Sequence, residues 1–174
     1  EKVNGEYQGA CFRFRDGLQS AVLRMEWGGD GSMFVGQSNR GWNSLGSRSY
    51  GLQRLVWTGK TPFEVKEMRA KHDGFDLVFT EAVDPKAAGD PKSYEFSSYT
   101  YHFHQTYGSE EIDAKPCAIR SATVSRDGRS VRLIVDGLRS GYVHELRAAG
   151  VSSASGAPLL HDLACYTLNQ IPTP

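Results

Sequence analysis

The chain has 174 residues, with 20 Lys plus Arg against 20 Asp plus Glu, a balance that leaves no electrostatic footprint for nucleic acid or an anionic membrane. No apolar run approaches the roughly 20 residues of a membrane helix, which excludes insertion by a helical span. Nineteen glycines, eight tyrosines and eight phenylalanines among many short β-prone runs point to an all-β protein.

The chain opens at Glu1 and not at a methionine, which reads as a processed or excised piece of a longer polypeptide. ACFRFRDG then alternates apolar and polar side chains and stops at the turn pair Asp16-Gly17. Residues 21–27 and 32–37 read as two strands joined by Gly28-Gly29-Asp30-Gly31, where glycine reaches positive φ without steric cost. The polar loop SNRGWNSLGSRSY follows, and then another strand, GLQRLVW. Several short antiparallel strands in about forty residues have the size of one β-propeller blade, which cannot bury both of its faces alone.

TGKTP at 58–62 punctuates the chain, because proline disfavours helix in the residue before it. Beyond it, FEVKEMRAKHDGFDLVFTEAV reads as two alternating strands about the turn His72-Asp73-Gly74. DPKAAGDPKSYEF reads as a proline- and aspartate-rich loop with a helical turn over 85–89, and it leads into the aromatic strand SYTYHFHQTYGS. AIRSATVSRDGRSVRLIVDGL is a second strand–DG–strand unit, and GYVHELRAAGV and ACYTLNQI supply two more strands. About six to eight short strands over some 110 residues suit an antiparallel two-sheet sandwich of immunoglobulin type. The expected organisation is a propeller-blade-like β segment over 1–60 and an Ig-like β-sandwich over 61–174. Its core is expected to contain Phe79, Tyr101, Val124, Val131, Leu133 and Leu146.

Phe79, Val83 and Asp84 form an F-[ST]-x-x-V-D strand end, Asp127-Gly128, Val131 and Leu133 a DG-x-x-V-x-L hairpin, and Leu146, Gly156 and Leu159 an L…G-x-x-L ending. In these motifs the second half resembles bacterial Ig-like domains of secreted multi-domain proteins. LLHDLACYTLNQIP and YTYHFHQTYGS resemble the C-terminal module of large exported cytochrome-containing proteins of planctomycete-like bacteria. The front half, WGGDGSMFVGQSNRGWNSLG…YGLQRLVWTGKTPFE, resembles the last blade of a sorbosone- or glucose-dehydrogenase-like β-propeller running into that module. The resemblance implies a secreted or periplasmic protein with partners among other domains of the same polypeptide, and polysaccharide as a further partner. It implies no cofactor in this chain, with a quinone or c-type haem carried elsewhere in the parent. Activity does not follow, since shared modules do not carry shared chemistry.

Candidate sites are few. On a strand, Tyr99, Tyr101 and Phe103 share one face and His102 and His104 the other. The aromatic row reads as sandwich core, with a sugar-stacking platform as the alternative. The two histidines are a weak metal candidate and read as a solvated strand face, because zinc or copper needs at least a third protein ligand. The better ligand candidate is the loop after the second blade strand. There Asn39, Arg40 and Trp42 offer an amide, a guanidinium and an aromatic plane to sugars or carboxylates. A packing role for the same loop is the competing reading. Asp84 and Asp90 offer loop oxygens to calcium, but without a DxDxDG pattern they read as turn formers.

Cys11, Cys117 and Cys165 lie far apart with no CxxC or CxxCH, which excludes a covalently attached haem and the usual zinc spacings within the chain. One disulfide and three free thiols both fit. The expected pair is Cys117 with Cys165, each beside a sandwich strand, whereas Cys11 belongs to the other half. No G-x-S-x-G, H-E-x-x-H or phosphate-cradling loop is present, so no catalytic residue is assigned. The preferred reading is a non-catalytic accessory module of a larger secreted redox or polysaccharide-processing protein. The alternatives are a carbohydrate-binding module and a fragment of a sugar-dehydrogenase propeller contributing to its active site.

Overall fold

The computed structural model describes residues 1–41 and 46–174. In chain order the strands are β1 (Lys2–Val3), β2 (Glu6–Tyr7), β3 (Gly9–Phe12), β4 (Val22–Trp27), β5 (Met33–Ser38), β6 (Tyr50–Leu55), β7 (Val65–Lys71) and β8 (Gly74–Phe79). One helical turn, α1 (Pro85–Ala88), and a 3-10 turn over Pro91–Ser93 follow. The remaining strands are β9 (Glu95–Tyr101), β10 (Glu111–Pro116), β11 (Ile119–Val124), β12 (Ser130–Val135), β13 (Tyr142–Arg147) and β14 (Leu163–Leu168). Every pairing is antiparallel. Among the described residues no helix is long and apolar enough to cross a membrane.

Two compact units divide the chain, one of Glu1–Arg13 with Pro62–Pro174 and one of Phe14–Thr61. The larger unit is an all-β sandwich of a four-stranded sheet, β11-β12-β8-β7, and a five-stranded sheet, β10-β9-β13-β14-β3. Alternation along each strand sends one set of side chains between the sheets. Met68, Phe75, Leu77, Val131 and Leu133 from the first sheet join Phe96, Leu146, Ala164, Tyr166 and Leu168 from the second in one buried cluster. Phe75 meets Phe96 at 5.2 Å and Tyr166 at 5.1 Å between ring centroids. Full burial of each large side chain contributes roughly 1.5–3 kcal/mol.

Turn chemistry sets the strand ends. Gly128 takes φ 70° in the β11–β12 hairpin, and the Asp127 carboxylate accepts from the Arg129 N–H at 3.1 Å and the Ser125 hydroxyl at 2.6 Å. Asp84 caps α1 by accepting from the Ala87 N–H at 2.7 Å, and Asp90 caps the 3-10 turn by accepting from the Lys92 N–H at 2.9 Å. Both aspartates therefore serve as caps.

The structure departs from the sequence expectation at three places. Residues 1–13 belong with the sandwich and not with the unit of Phe14–Thr61: β3 lies along β14 at the sheet edge, and Ala10 and Phe12 pack against the core. Tyr101 is half-exposed while Phe79, Val131, Leu133 and Leu146 are buried and Val124 packs against them. The inward face of β9 is Phe96 and Ser98, which pair with Leu146 and His144, so the odd-numbered residues from Tyr99 onward point away from the core. Phe103, finally, lies beyond the end of β9 and is fully exposed.

The smaller unit is the sheet β4-β5-β6. Its first hairpin closes as Gly28 N–H donates to Ser32 O at 2.7 Å and Gly31 N–H to Gly28 O at 3.0 Å. Arg54 pairs with Asp30 beneath that turn. Polar side chains hold the unit together. Gln37 accepts from the Ser20 N–H at 2.8 Å and donates to Gln53 at 2.9 Å, while Gln53 also accepts from the Gln19 N–H at 2.9 Å. Val35 is buried beside them, but every residue of β4 is exposed.

Candidate functional site

The loop after β5 is organised by its own backbone. Asn39 Oδ1 accepts from the Gly41 N–H at 2.9 Å, Ser38 Oγ from the Arg40 N–H at 3.0 Å, and Ser49 O from the Asn39 N–H at 2.8 Å. Arg40 sits at φ 52° with its side chain exposed. Trp42 lies outside the described residues. The amide oxygen of Asn39 is thus engaged in shaping a turn, and the guanidinium of Arg40 is the group turned to solvent.

Tyr99 and Tyr101 share the outer face of the five-stranded sheet, 5.6 Å apart and edge-on at 82°. Tyr99 is buried on that face, and burial foremost pushes its phenol above the usual range. Tyr101 and Phe103 are open. His102 and His104 follow the end of β9, with ring centroids 6.3 Å apart. The His102 N–H donates to Ser109 Oγ at 2.9 Å. Among the described residues no cluster of three His, Cys, Asp or Glu gathers that could hold a metal.

One polar constellation is not announced by sequence spacing. Arg139 donates to the Ser98 hydroxyl at 2.9 and 2.8 Å, to the Ser98 carbonyl at 2.7 Å and to the Asp113 carboxylate at 2.6 Å. Its guanidinium lies 3.8 Å over the Tyr142 ring, and the Tyr142 hydroxyl donates to Asp113 at 2.9 Å. His144 Nε2 accepts from the Arg139 N–H at 3.2 Å. Burial first, and then the Arg139 charge, lowers the His144 pKa to about 4. A serine, a histidine and an aspartate thus lie near one another, but they do not form a nucleophilic relay. Ser98 is fully buried and its hydroxyl faces a guanidinium, a donor that cannot take its proton. The network pins the β12–β13 loop to β9 and to Asp113, which adopts φ 51°. Its only sequence trace is Arg139 between Gly137 and Gly141.

The cysteines are placed differently from expectation. All three are free thiols. Cys117 is buried in the core, 3.5 Å from Ser98 Oγ. Cys165 lies between the inward-facing Ala164 and Tyr166, so its side chain projects from the opposite face of the sheet. The Cys117–Cys165 bridge is therefore not made, and the sheet stands between the two sulfurs. Cys165 is instead the direct register partner of Cys11.

Apolar side chains also remain open on β4. Register places Met25 beside Val35 and Trp27 beside Met33, which is flanked on its other side by Leu55. Met25 and Trp27 are 62% and 68% exposed. The opposite face carries Phe34 with Arg54 stacked 5.8 Å from its ring centroid.

No protein-family model matches the chain, and no curated protein does. Among solved structures, the chain is similar to a crystal structure of the S-layer protein rSbsC at 20% identity and TM-score 0.48. It is likewise similar to the N-terminal part of the bacterial S-layer protein SbsC at 16% identity and TM-score 0.46. The likeness covers 66% and 65% of this chain but 14% and 25% of those chains.

Proposed function

We propose that the chain is a non-catalytic accessory β-sandwich module of a larger secreted redox or polysaccharide-processing protein, packed against other domains of the same polypeptide. The observation that supports this reading is the three-stranded sheet, whose β4 is exposed at every position and presents Met25 and Trp27 to solvent. Few-stranded sheets are marginal alone, and an open apolar face of this kind gains by being covered. A neighbouring sheet of the same polypeptide would cover it as one propeller blade covers the next. The sandwich is a compact unit of its own, and its buried polar groups around Arg139 are engaged with one another. Hydrogen exchange tests the idea in Val22–Trp27, in this chain and in its full-length polypeptide. Protection confined to the longer protein is the expected result, and equal exchange in both overturns it. Turnover of any sugar by this chain alone would favour the sugar-dehydrogenase fragment.

The second reading is a carbohydrate-binding module. It is favoured by the Tyr99–Tyr101 pair and by the open rings of Tyr101 and Phe103, which offer flat apolar surface to a sugar. Calorimetric titration with an oligosaccharide panel, repeated on Tyr101→Ala, separates the two. Binding lost with that ring selects the second reading.

A further inference from the structure

Cys11 and Cys165 are direct register partners on the antiparallel pair β3 and β14. Directly opposed residues in such a pair have Cα atoms about 4.5 or 5.5 Å apart, depending on the hydrogen-bonding register. Both spacings fall inside the roughly 4.4–6.8 Å span of disulfides. Their side chains share the outer face of the sheet, because the neighbouring Ala10, Phe12, Ala164 and Tyr166 turn inward to the core. Cys11 is exposed and Cys165 half-buried, so the pair has an outward and a shielded member. Glu145 Oε2 lies 4.0 Å from the Cys165 sulfur, and the Cys165 thiol is held up by burial, by Glu145 and, to a smaller degree, by Cys11 itself.

We propose that Cys11 and Cys165 form a redox site, closed to an intramolecular disulfide by low-molecular-weight disulfide oxidants, which clamps the edge strand β3 to β14. In the first step the exposed Cys11 thiolate attacks one sulfur of the oxidant and expels the other half as a thiol, leaving a mixed disulfide on Cys11. Cys165 then loses its proton and attacks the Cys11 sulfur. The Cys11–Cys165 bond forms and the second half of the oxidant leaves as a thiol. Two thiol protons and two electrons pass from the protein to the oxidant, and the balance closes. Cys117 takes no part, since it lies in the core on the other side of the sheet.

The clamp joins positions 11 and 165, enclosing nearly the whole chain. In the chain-entropy picture such a long loop constrains the unfolded state strongly. The edge strand it secures is held by a four-residue ladder, and a frayed β3 would uncover Ala10 and Phe12.

The test incubates the reduced full chain with oxidised glutathione, blocks remaining thiols, and maps peptides without reduction. The expected product is a monomer with one Cys11–Cys165 linked peptide and Cys117 alkylated only after unfolding. Its Tm should rise by about 5–10 °C over the reduced chain and return on treatment with dithiothreitol. Cys11→Ser should abolish the rise, and Cys117→Ser should leave it in place. A linkage through Cys117, disulfide-joined dimers, a persistent glutathione adduct on Cys11 or full resistance to oxidation would each overturn the proposal. Cys11→Ser changes an exposed position, so a failure of Cys165→Ser to fold does not block the test.

Discussion

Ser98 and His144 stand directly opposite one another across β9 and β13, both fully buried, and the serine hydroxyl is bonded to Arg139 and not to the imidazole. A buried polar row inside a sandwich core is tolerated only when its members are satisfied. Arg139 satisfies them from the β12–β13 loop. It takes the Ser98 hydroxyl and carbonyl as acceptors, and its backbone N–H donates to His144.

Removing the Arg139 side chain leaves the Ser98 carbonyl and hydroxyl without that donor. An unsatisfied buried polar group costs roughly 1–3 kcal/mol. Arg139→Ala should therefore lose stability on that order in urea unfolding, while Asp113→Asn, at an exposed carboxylate, should lose much less. Equal losses would show that the Asp113 pair, and not the buried serine, is what Arg139 serves.

Stability should also depend on pH through His144. The imidazole binds its proton near 6.5 in the unfolded chain and resists it down to about 4 when folded, chiefly because burial disfavours the cation. Between these values the unfolded state binds more protons, so stability is complete above 6.5 and falls as the pH drops toward 4. The loss approaches about 3 kcal/mol. The Asp113 carboxyl is held below its ordinary 3.8 by Lys115 first and by Tyr142, so its own contribution is lost only at more acid pH. Unfolding of His144→Phe across the same window should be flatter than that of the native chain, whatever its absolute stability.

Leu133 is fully buried between the sheets. Truncation to alanine should cost about 2–5 kcal/mol through lost burial and the cavity left behind. Tyr101→Ala on the outer face is the comparison, and it should stay within roughly half a kcal/mol. A reversed order would place the wrong face of β9 inward.

Gly74 opens β8 where that strand meets β12, and a Cβ there would stand 1.9 Å from the Leu133 carbonyl oxygen. The obstacle is backbone and cannot swing aside. Gly74→Ala should cost about 1–3 kcal/mol by forcing the two strands apart. Circular dichroism melts of Gly74→Ala and of Gly108→Ala separate this effect from backbone strain alone, since Gly108 sits at φ 82° in open space.

Much of the local structure was legible along the chain. Asp-Gly and Gly-rich turns stop strands because aspartate binds the next N–H groups and glycine accepts positive φ, and Asp127-Gly128 and Gly28 to Gly31 do this where expected. Asp84 before Pro85 and Asp90 before Pro91 are helix starts by the same local chemistry. Alternation, likewise, showed that Val131, Leu133 and Val135 share a face.

Which face turns inward is another matter, because a period of two is indifferent to it. Tyr99 and Tyr101 resemble core residues, but Phe96 and Ser98 are aligned with Leu146 and His144, and that cross-strand match sends the tyrosines outward. The same register lines up Ser97, Glu145, Cys165 and Cys11 across four strands of the outer face. No local signal links Cys11 to a strand more than 150 residues away, so the sequence places Cys11 in the other half and pairs Cys165 with Cys117. Many of the strands, with their turns and caps, are thus written in neighbouring residues, although β1, β2, β10 and the end of β9 at Tyr101 are not. The assignment of Glu1–Arg13 to the sandwich, the inward face of β9 and the partner of Cys165 were decided only by strands far apart in sequence meeting to bury a common core.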